Sequence, residues 1–478
     1  MNAEPLLSRP NESAIVRPLK ERDVPVRGSW SRHSIWAAPA ALVFLLYSAF
    51  WSSAPILTTD SPGYMRLARD IRHLRISEFH QRTPGYPLML VLTGATEHPT
   101  RALFYSSLVA QFGAVYLLVR LLLWCGVRPR WARAFGLLAI LPPFVEPAAY
   151  VMTETLTTLA LTAAYAALVV ALERAKVRHW AVFAALALMC ALVRPTFALL
   201  VPALIIVVAG CRLAGIVAPR WSSLVLPFGA VTVLVAAVFG GMSAINYRRF
   251  GMFASTSLGP IQLSTKVTSV LEFLPDQYAG LRELLIHHRD ENLIQRFDDH
   301  MAQDYIYRAW PDVKRYYGGS ETRALEAVQN ASTYLILHKP GSYLGDCARL
   351  IGQFWMPMDV PLASGRSVTL RAVWFCLQLL ICSMFFVELA IVGGLLCFLL
   401  AVRRNDVVSQ HILEENRRPV LAYVIGVAIV VYNMVLSCFL GIGLARYRVP
   451  TDLAILGTVM MGITIWSNAV AGYRRRAL

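Results

Sequence analysis

The chain places Asp60 directly behind an apolar run, in Thr58-Thr59-Asp60-Ser61-Pro62-Gly63-Tyr64. A carboxylate at a membrane boundary can take a proton from a hydroxyl in a site partly shielded from water. The same position suits an ordinary loop Asp, or the N-cap of a following helix. Further on comes Arg82-Thr83-Pro84-Gly85-Tyr86-Pro87. Two prolines and a glycine hold that cation on a stiff turn. At headgroup level it suits a phosphate ester, or it snorkels among lipid headgroups. Tyr64 and Tyr86 can stack on a sugar or anchor the chain at the membrane interface. His80 either lines the same site or is a surface loop residue.

Other candidates lie far away in sequence. Glu154 opens an apolar run, where it can contact a sugar or acceptor, or complement a helix N-terminus. Arg194 precedes Pro195 at membrane depth, and an ionisable group there is a candidate functional residue. It sits at an outer mouth if the flanking apolar runs turn, and is buried if they form one helix. Arg446 and Arg448 come just before the last apolar run. They fall on the side where the positive-inside bias disfavours arginine, so they meet an anion or snorkel. Lys266 and Arg248 are further cations with a solvated-loop alternative.

The elements that must position these residues follow from composition. Of the 478 residues, 56% are hydrophobic and only 15% charged, with mean hydropathy +0.52. So few charges cannot cover a soluble protein of this length, whereas lipid covers a membrane protein. The net charge of +16 could suggest nucleic acid. Many of the basic residues, however, lie in short connections between apolar runs, the pattern of a polytopic membrane protein.

Spans of ~20 apolar residues are read at 35–52, 102–124, 134–151, 154–172, 180–193, 196–211, 222–243, 370–401, 419–440 and 449–467. The pair around Arg194 is short, and the run at 370–401 is long enough to include an interfacial piece. Alternate connections carry Arg128, Arg130 and Arg133, then Arg174, Lys176 and Arg178, then Arg212 and Arg220. Arg403, Arg404, Arg417 and Arg418 follow, and finally Arg474 to Arg476. All fall on one side, which puts both termini in the cytoplasm. The expected organisation is therefore a basic cytoplasmic tail (1–34) and a transmembrane core (35–242) that includes an outer loop (53–101). A large outer segment (243–369) and C-terminal transmembrane segments with a short tail (370–478) complete it.

The large outer segment contains helix-like stretches, Leu281–Tyr307 and Glu321–His338, with Pro275, Pro311 and Pro340 as breaks. It reads as lacking a self-sufficient apolar core, so it is expected to pack on the membrane domain. The apolar run from Ile35 follows a basic, proline-containing tail and reads as a retained anchor, not a cleaved signal. The eight cysteines show no metal-ligand or disulfide spacing. No inverted repeat or nucleotide-binding glycine motif is present.

An Asp behind the first span, a Tyr four residues later and the Arg-Thr-Pro-Gly-Tyr-Pro stretch together resemble the GT-C glycosyltransferases. The branch they resemble most contains protein mannosyltransferases and the aminoarabinose transferase of lipid A. Asn246-Tyr247-Arg248-Arg249-Phe250-Gly251 with Ser255–Gln262 resembles the start of that family's outer loop. His338-Lys339-Pro340-Gly341-Ser342-Tyr343 with Phe354-Trp355 resembles its end, and Ala445-Arg446-Tyr447-Arg448-Val449-Pro450 the motif that opens a late span. The motifs cover most of residues 35–467.

The resemblance implies an all-α membrane bundle of about 10–12 spans, with a mainly helical periplasmic loop packed on it. It implies a polyprenyl-phosphate-linked sugar as donor and a hydroxyl on a glycan, lipid or protein as acceptor, at the outer face of a bacterial inner membrane. Asp60 maps onto the family's base, and Arg82 onto its donor-phosphate contact. Many relatives carry an acidic pair at Asp60, where this chain has Ser61, so metal binding through a second carboxylate is in doubt. A divalent cation is still compatible with the family.

Glycosyl transfer builds negative charge on the departing oxygen, and fixed cations stabilise that charge in a low-dielectric site. Arg82, Arg446, Arg448, Arg194, Lys266 and Arg248 are the candidates for that role. Tyr64, Tyr86, Glu154 and His80 are candidates for sugar or acceptor. Alternatives are a flippase of a lipid-linked sugar, suggested by the Arg194-Pro195 break, and an O-antigen-ligase-like enzyme with a diphosphate donor.

Overall fold

The computed structural model describes residues 41, 44, 45, 47, 54–75, 81–217, 221–296, 305–357, 368–403, 413–441 and 443–477. The basic tail, most of the expected first span and His80 lie outside the described residues. The chain divides into Met1–Ala49 and Phe50–Leu478, and everything below belongs to the second unit.

Two short helices come first, α1 (Ser61–Arg72) and α2 (Gly85–Leu92). The bundle begins with α3 (Arg101–Trp124), α4 (Pro129–Ala139), α5 (Glu154–Arg174), α6 (Val177–Val193), α7 (Leu200–Leu213) and α8 (Ser222–Phe250). The outer segment contributes α9 (Leu258–Ser264), α10 (Ala279–Arg296), α11 (Tyr305–Tyr316), α12 (Glu321–His338) and α13 (Pro340–Phe354). The chain closes with α14 (Val368–Arg403), α15 (Arg417–Phe439) and α16 (Val449–Ala477).

Among the described residues seven helices are long and apolar enough to cross a membrane, and α6 is a shorter apolar one. The chain is a multi-pass, all-helical membrane protein. The expected run at 370–401 is one continuous helix, α14.

The expected span at 134–151 is not one helix. α4 ends at Ala139, and two short turns follow, Pro142–Val145 and Glu146–Ala149. Pro142, Pro143 and Pro147 lack the N–H that a continuing helix needs, and their rings clash with the preceding turn. The broken stretch does positional work instead. The Ile56 N–H donates to Ala149 O (2.8 Å) and the Val151 N–H to Ile56 O (3.0 Å). The Ser61 hydroxyl donates to Val151 O (2.9 Å) and accepts from the Thr58 N–H (2.7 Å). These bonds fix the strand-like approach to Asp60.

The two short spans turn at Arg194, which is extended (φ −142°, ψ 108°). Arg418 pairs with Glu173 (2.9 Å), and Arg417 Nε donates to Ile216 O (2.9 Å). The end of α5, the end of α7 and the start of α15 therefore share one pole. Arg194 lies at the other, with Asp60.

The outer segment has a core of its own, contrary to expectation. Leu271, Leu281, Leu285, Tyr305, Ile306, Val313, Val328 and Leu335 are among the residues it buries together. They recur every three or four positions on α10, α11 and α12, so several short helices pool narrow apolar stripes. Pro311 is no break, because α11 runs through it.

The segment is also pinned to the bundle. The Tyr343 hydroxyl donates to Phe439 O (3.0 Å). Gly443 takes a left-handed φ of +68° beside Leu350, where a Cβ would come within 2.7 Å of the Leu350 Cβ. At the exit of α8, Asn246 Nδ2 donates to Ala254 O and the Thr322 hydroxyl to Phe250 O, both at 2.8 Å.

Candidate active site

Asp60 stands at the N-terminus of α1 but makes no side-chain cap there. Its carboxylate is instead shared by two guanidinium groups, Arg82 at 2.9 Å and Arg446 on the other oxygen. Burial raises the Asp60 carboxyl, but Arg446 and Arg82 outweigh this and hold it at about 2, below the usual 3.8. The group is ionised throughout the neutral range.

The turn that carries Arg82 exists because of Gly85. A Cβ on Gly85 would lie 2.6 Å from the backbone carbonyl of Leu192, at the end of α6. Only glycine lets α2 start this close to α6. Arg82 then lies over the Tyr64 ring, 4.8 Å from its centroid. Tyr64 sits one helical turn past Asp60, on the same face of α1.

Arg446 lies in the short turn before α16, beside Tyr447. The Tyr447 ring carries two guanidinium groups, Arg194 at 4.6 Å and Arg446 at 5.3 Å. Its backbone carbonyl accepts from Asn433 Nδ2 (2.7 Å), which ties the turn to α15. Arg194 is only 7% exposed, yet its Nη1 has no hydrogen-bond partner among the described residues. A buried donor without an acceptor is costly, so this nitrogen calls for a ligand.

These groups border a cavity of about 710 Å³ between the bundle pole and the outer segment. Among the described residues six cations line it: Arg66, Arg82, Arg194, Arg308, Lys314 and Arg446. Three carboxylates oppose them: Asp60, Glu154 and Glu321. Glu154 opens α5 and is 2% exposed.

The structure therefore brings Asp60, Tyr64, Arg82, Glu154, Arg194 and Arg446 to one cavity. Four other candidates lie elsewhere. Arg448 is sealed in the bundle; it pairs with Asp452 (2.8 Å) and donates to Phe354 O and Met356 O (2.9 and 3.0 Å). Its donors are used internally, so it is corrected from phosphate contact to structural anchor. Lys266 is 1% exposed and donates to Cys438 O (2.8 Å), at the seam between outer segment and bundle. Burial pushes its amine down to about 8. Arg248 is exposed on the last turn of α8, away from the cavity lining. Tyr86 is fully buried beneath Tyr64, ring edge against ring at 5.2 Å.

Sequence reasoning missed Tyr447, though it lies inside the motif containing Arg446 and Arg448. It also missed Tyr307, Arg308, Trp310 and Lys314 of α11, which line the cavity from the outer segment. The spacing of Tyr307, Trp310 and Lys314 by three and four residues was the available signal. Pro311 masks it, because a proline inside a helical pattern ordinarily marks a break. Among the described residues no group of three or more His, Cys, Asp or Glu is placed to hold a metal.

Compared with known protein families the chain matches none, and it matches no curated protein. Among solved structures it is similar to the archaeal oligosaccharyltransferase AglB from Archaeoglobus fulgidus, in complex with an inhibitory peptide and a dolichol-phosphate. The identity is 14%, the TM-score 0.48, and the match covers 94% of this chain. The chain spans 52% of that protein's length.

Proposed function

We propose that the protein is a membrane glycosyltransferase of the GT-C kind. It moves a sugar from a polyprenyl phosphate to an acceptor hydroxyl, at the outer face of a bacterial inner membrane. The observation that carries this reading is the ionised Asp60 held between Arg82 and Arg446 in a cation-rich cavity at one pole of a membrane bundle. The sequence motifs that resemble the GT-C enzymes supply two of the three groups from the first loop and the third from the last.

The chemistry follows from competition. A donor phosphate drawn to Arg82 and Arg446 contends with Asp60 for the same N–H groups, while Arg194 offers its unpartnered Nη1. As the phosphate takes those donors, Asp60 loses the cations that depress it and becomes a stronger base. The base is thereby coupled to donor binding. The acceptor oxygen attacks the anomeric carbon as its proton passes to Asp60. The bond from carbon to phosphate oxygen breaks, and the guanidinium groups hold the charge left on the phosphate. Attack opposite the leaving group inverts the anomeric centre. Ser61, where many relatives have a second acid, is occupied in holding Thr58 and Val151.

The test is Asp60→Asn, assayed with a synthetic lipid-linked sugar. Loss of transfer by about a thousandfold is expected in a protein that still folds. Wild type should release free polyprenyl phosphate, whereas a flippase would leave the donor's mass unchanged. Near-normal transfer by the variant would sink the assignment.

A further inference from the structure

α11 has two faces. Tyr305, Ile306, Ala309 and Val313 are buried in the core of the outer segment. Tyr307, Arg308, Trp310 and Lys314 line the cavity. The helix packs on α9, α10 and α12, so these side chains belong to the outer segment. Arg82, Arg194 and Arg446 belong to the loops and turns of the bundle. The cavity thus has two groups of cations on separate elements.

Among the described lining residues the cations exceed the carboxylates by three, six against three. Asp60 is already counted. A donor phosphodiester brings one negative charge, which leaves an excess of two. Cations gathered in a cleft with low-dielectric walls focus a positive potential, and the favoured occupant is an anion. Beside Lys314 and Arg308 stand the rings of Trp310 and Tyr307, flat apolar surfaces of the kind that orient a ligand. A sugar ring that carries an acidic group matches both features.

We infer, resting on the proposed transfer reaction, that the cavity holds two anionic groups at once. The donor phosphate sits on Arg82, Arg194 and Arg446. The second substrate is an acidic glycan, bearing a phosphate or a carboxylate, that lies against the α11 face. Trp310 and Tyr307 flank its ring, and Lys314 and Arg308 meet its acid.

The test uses the full chain in detergent, farnesyl phosphate as probe for the bundle cations, and glucose 6-phosphate or glucose as probes for the α11 face. With farnesyl phosphate saturating, glucose 6-phosphate should still bind, about tenfold or more tighter than glucose, the effect of one charge-assisted bond. Lys314→Gln should weaken glucose 6-phosphate by about tenfold and leave farnesyl phosphate unchanged, and Lys314→Arg should restore it. Displacement of glucose 6-phosphate by farnesyl phosphate, or binding no tighter than glucose, overturns the inference. Arg82→Gln tests the underlying reading separately. If that variant binds farnesyl phosphate as wild type does, the phosphate site is misplaced whatever the α11 face does.

Discussion

Arg446 and Arg448 are two residues apart, each paired with an aspartate, and their surroundings differ in kind. Arg446 meets Asp60 at the edge of a cavity, where both side chains keep about a quarter of their surface (27% and 24%). Arg448, just before α16, meets Asp452 in the first turn of that helix, with 1% and 8% left exposed. The second pair is closed, since backbone carbonyls of Phe354 and Met356 take the remaining donors. The first is open, since Asp60 divides itself between two arginines and both cations face space that a ligand can enter. The same two residue types thus border an open cavity in one place and make a closed clamp in the other. What decides it is whether the donors are already spent.

Predictions that break this comparison run from large effects to small. Arg446→Gln should cut transfer by about a hundredfold or more with little change in melting temperature. Arg448→Met should do the reverse, costing about 3–5 kcal/mol of stability by leaving Asp452 buried and unpaired. The paired change Arg448→Met with Asp452→Leu should recover much of that loss, and thermal unfolding in detergent reads both. If Arg448→Met unfolds no earlier than wild type, the clamp is misread.

Gly85→Ala tests the placement of Arg82. A methyl group there meets the α6 backbone, so about 1–3 kcal/mol of destabilisation is expected, with a raised KM for the donor. A stable variant with normal KM would show that the close approach is dispensable.

The pH dependence is smaller and has a fixed sign. A lowered carboxyl adds stability above its ordinary pKa and loses it as pH falls through the lowered value. For Asp60 that window lies between 3.8 and about 2. The melting-temperature difference between wild type and Asp60→Asn should therefore hold steady from about pH 8 to about pH 5 and shrink only below about pH 4. A slope near neutrality would mean that Asp60 is not held as described.

Lys266→Met should be nearly silent, with transfer within about twofold of wild type. The buried amine falls to about 8 from 10.5. Its burial cost is present at low pH and is relieved as pH rises through that window, so wild type should gain on the variant between about pH 8 and pH 10.5. A large activity loss would return Lys266 to the site.

Much of this was legible in the sequence. The helical bundle follows from apolar runs and the placement of arginines, signals that lipid imposes directly. Asp60, Arg82 and Arg446 were legible because a carboxylate and two cations sit in sharply turned segments at one pole. Arg446 and Arg448 do not share the cavity, and their spacing already says so. Two residues apart in a helical turn point to nearly opposite sides, so only one could face the ligand. The prolines at 142, 143 and 147 were likewise sufficient to break the span at 134–151. The core of the outer segment was harder to see. Each helix there contributes only a narrow stripe, and no local pattern reveals that the stripes of α10, α11 and α12 meet. Lys266 was also out of reach, because the carbonyl that holds it lies 172 positions away, at Cys438.

Asp60 and Arg446 are separated by 386 positions. At a synthesis rate of roughly 5–20 residues per second, the aspartate emerges some twenty to eighty seconds before its partner. By the time Arg446 is made, every described helix except α16 has already been synthesised. A ribosome that stalls before Arg446 leaves Asp60 with Arg82 alone as its guanidinium partner among the described residues. The turn before α16 therefore completes the Asp60 pairing late, after the other described helices have been made.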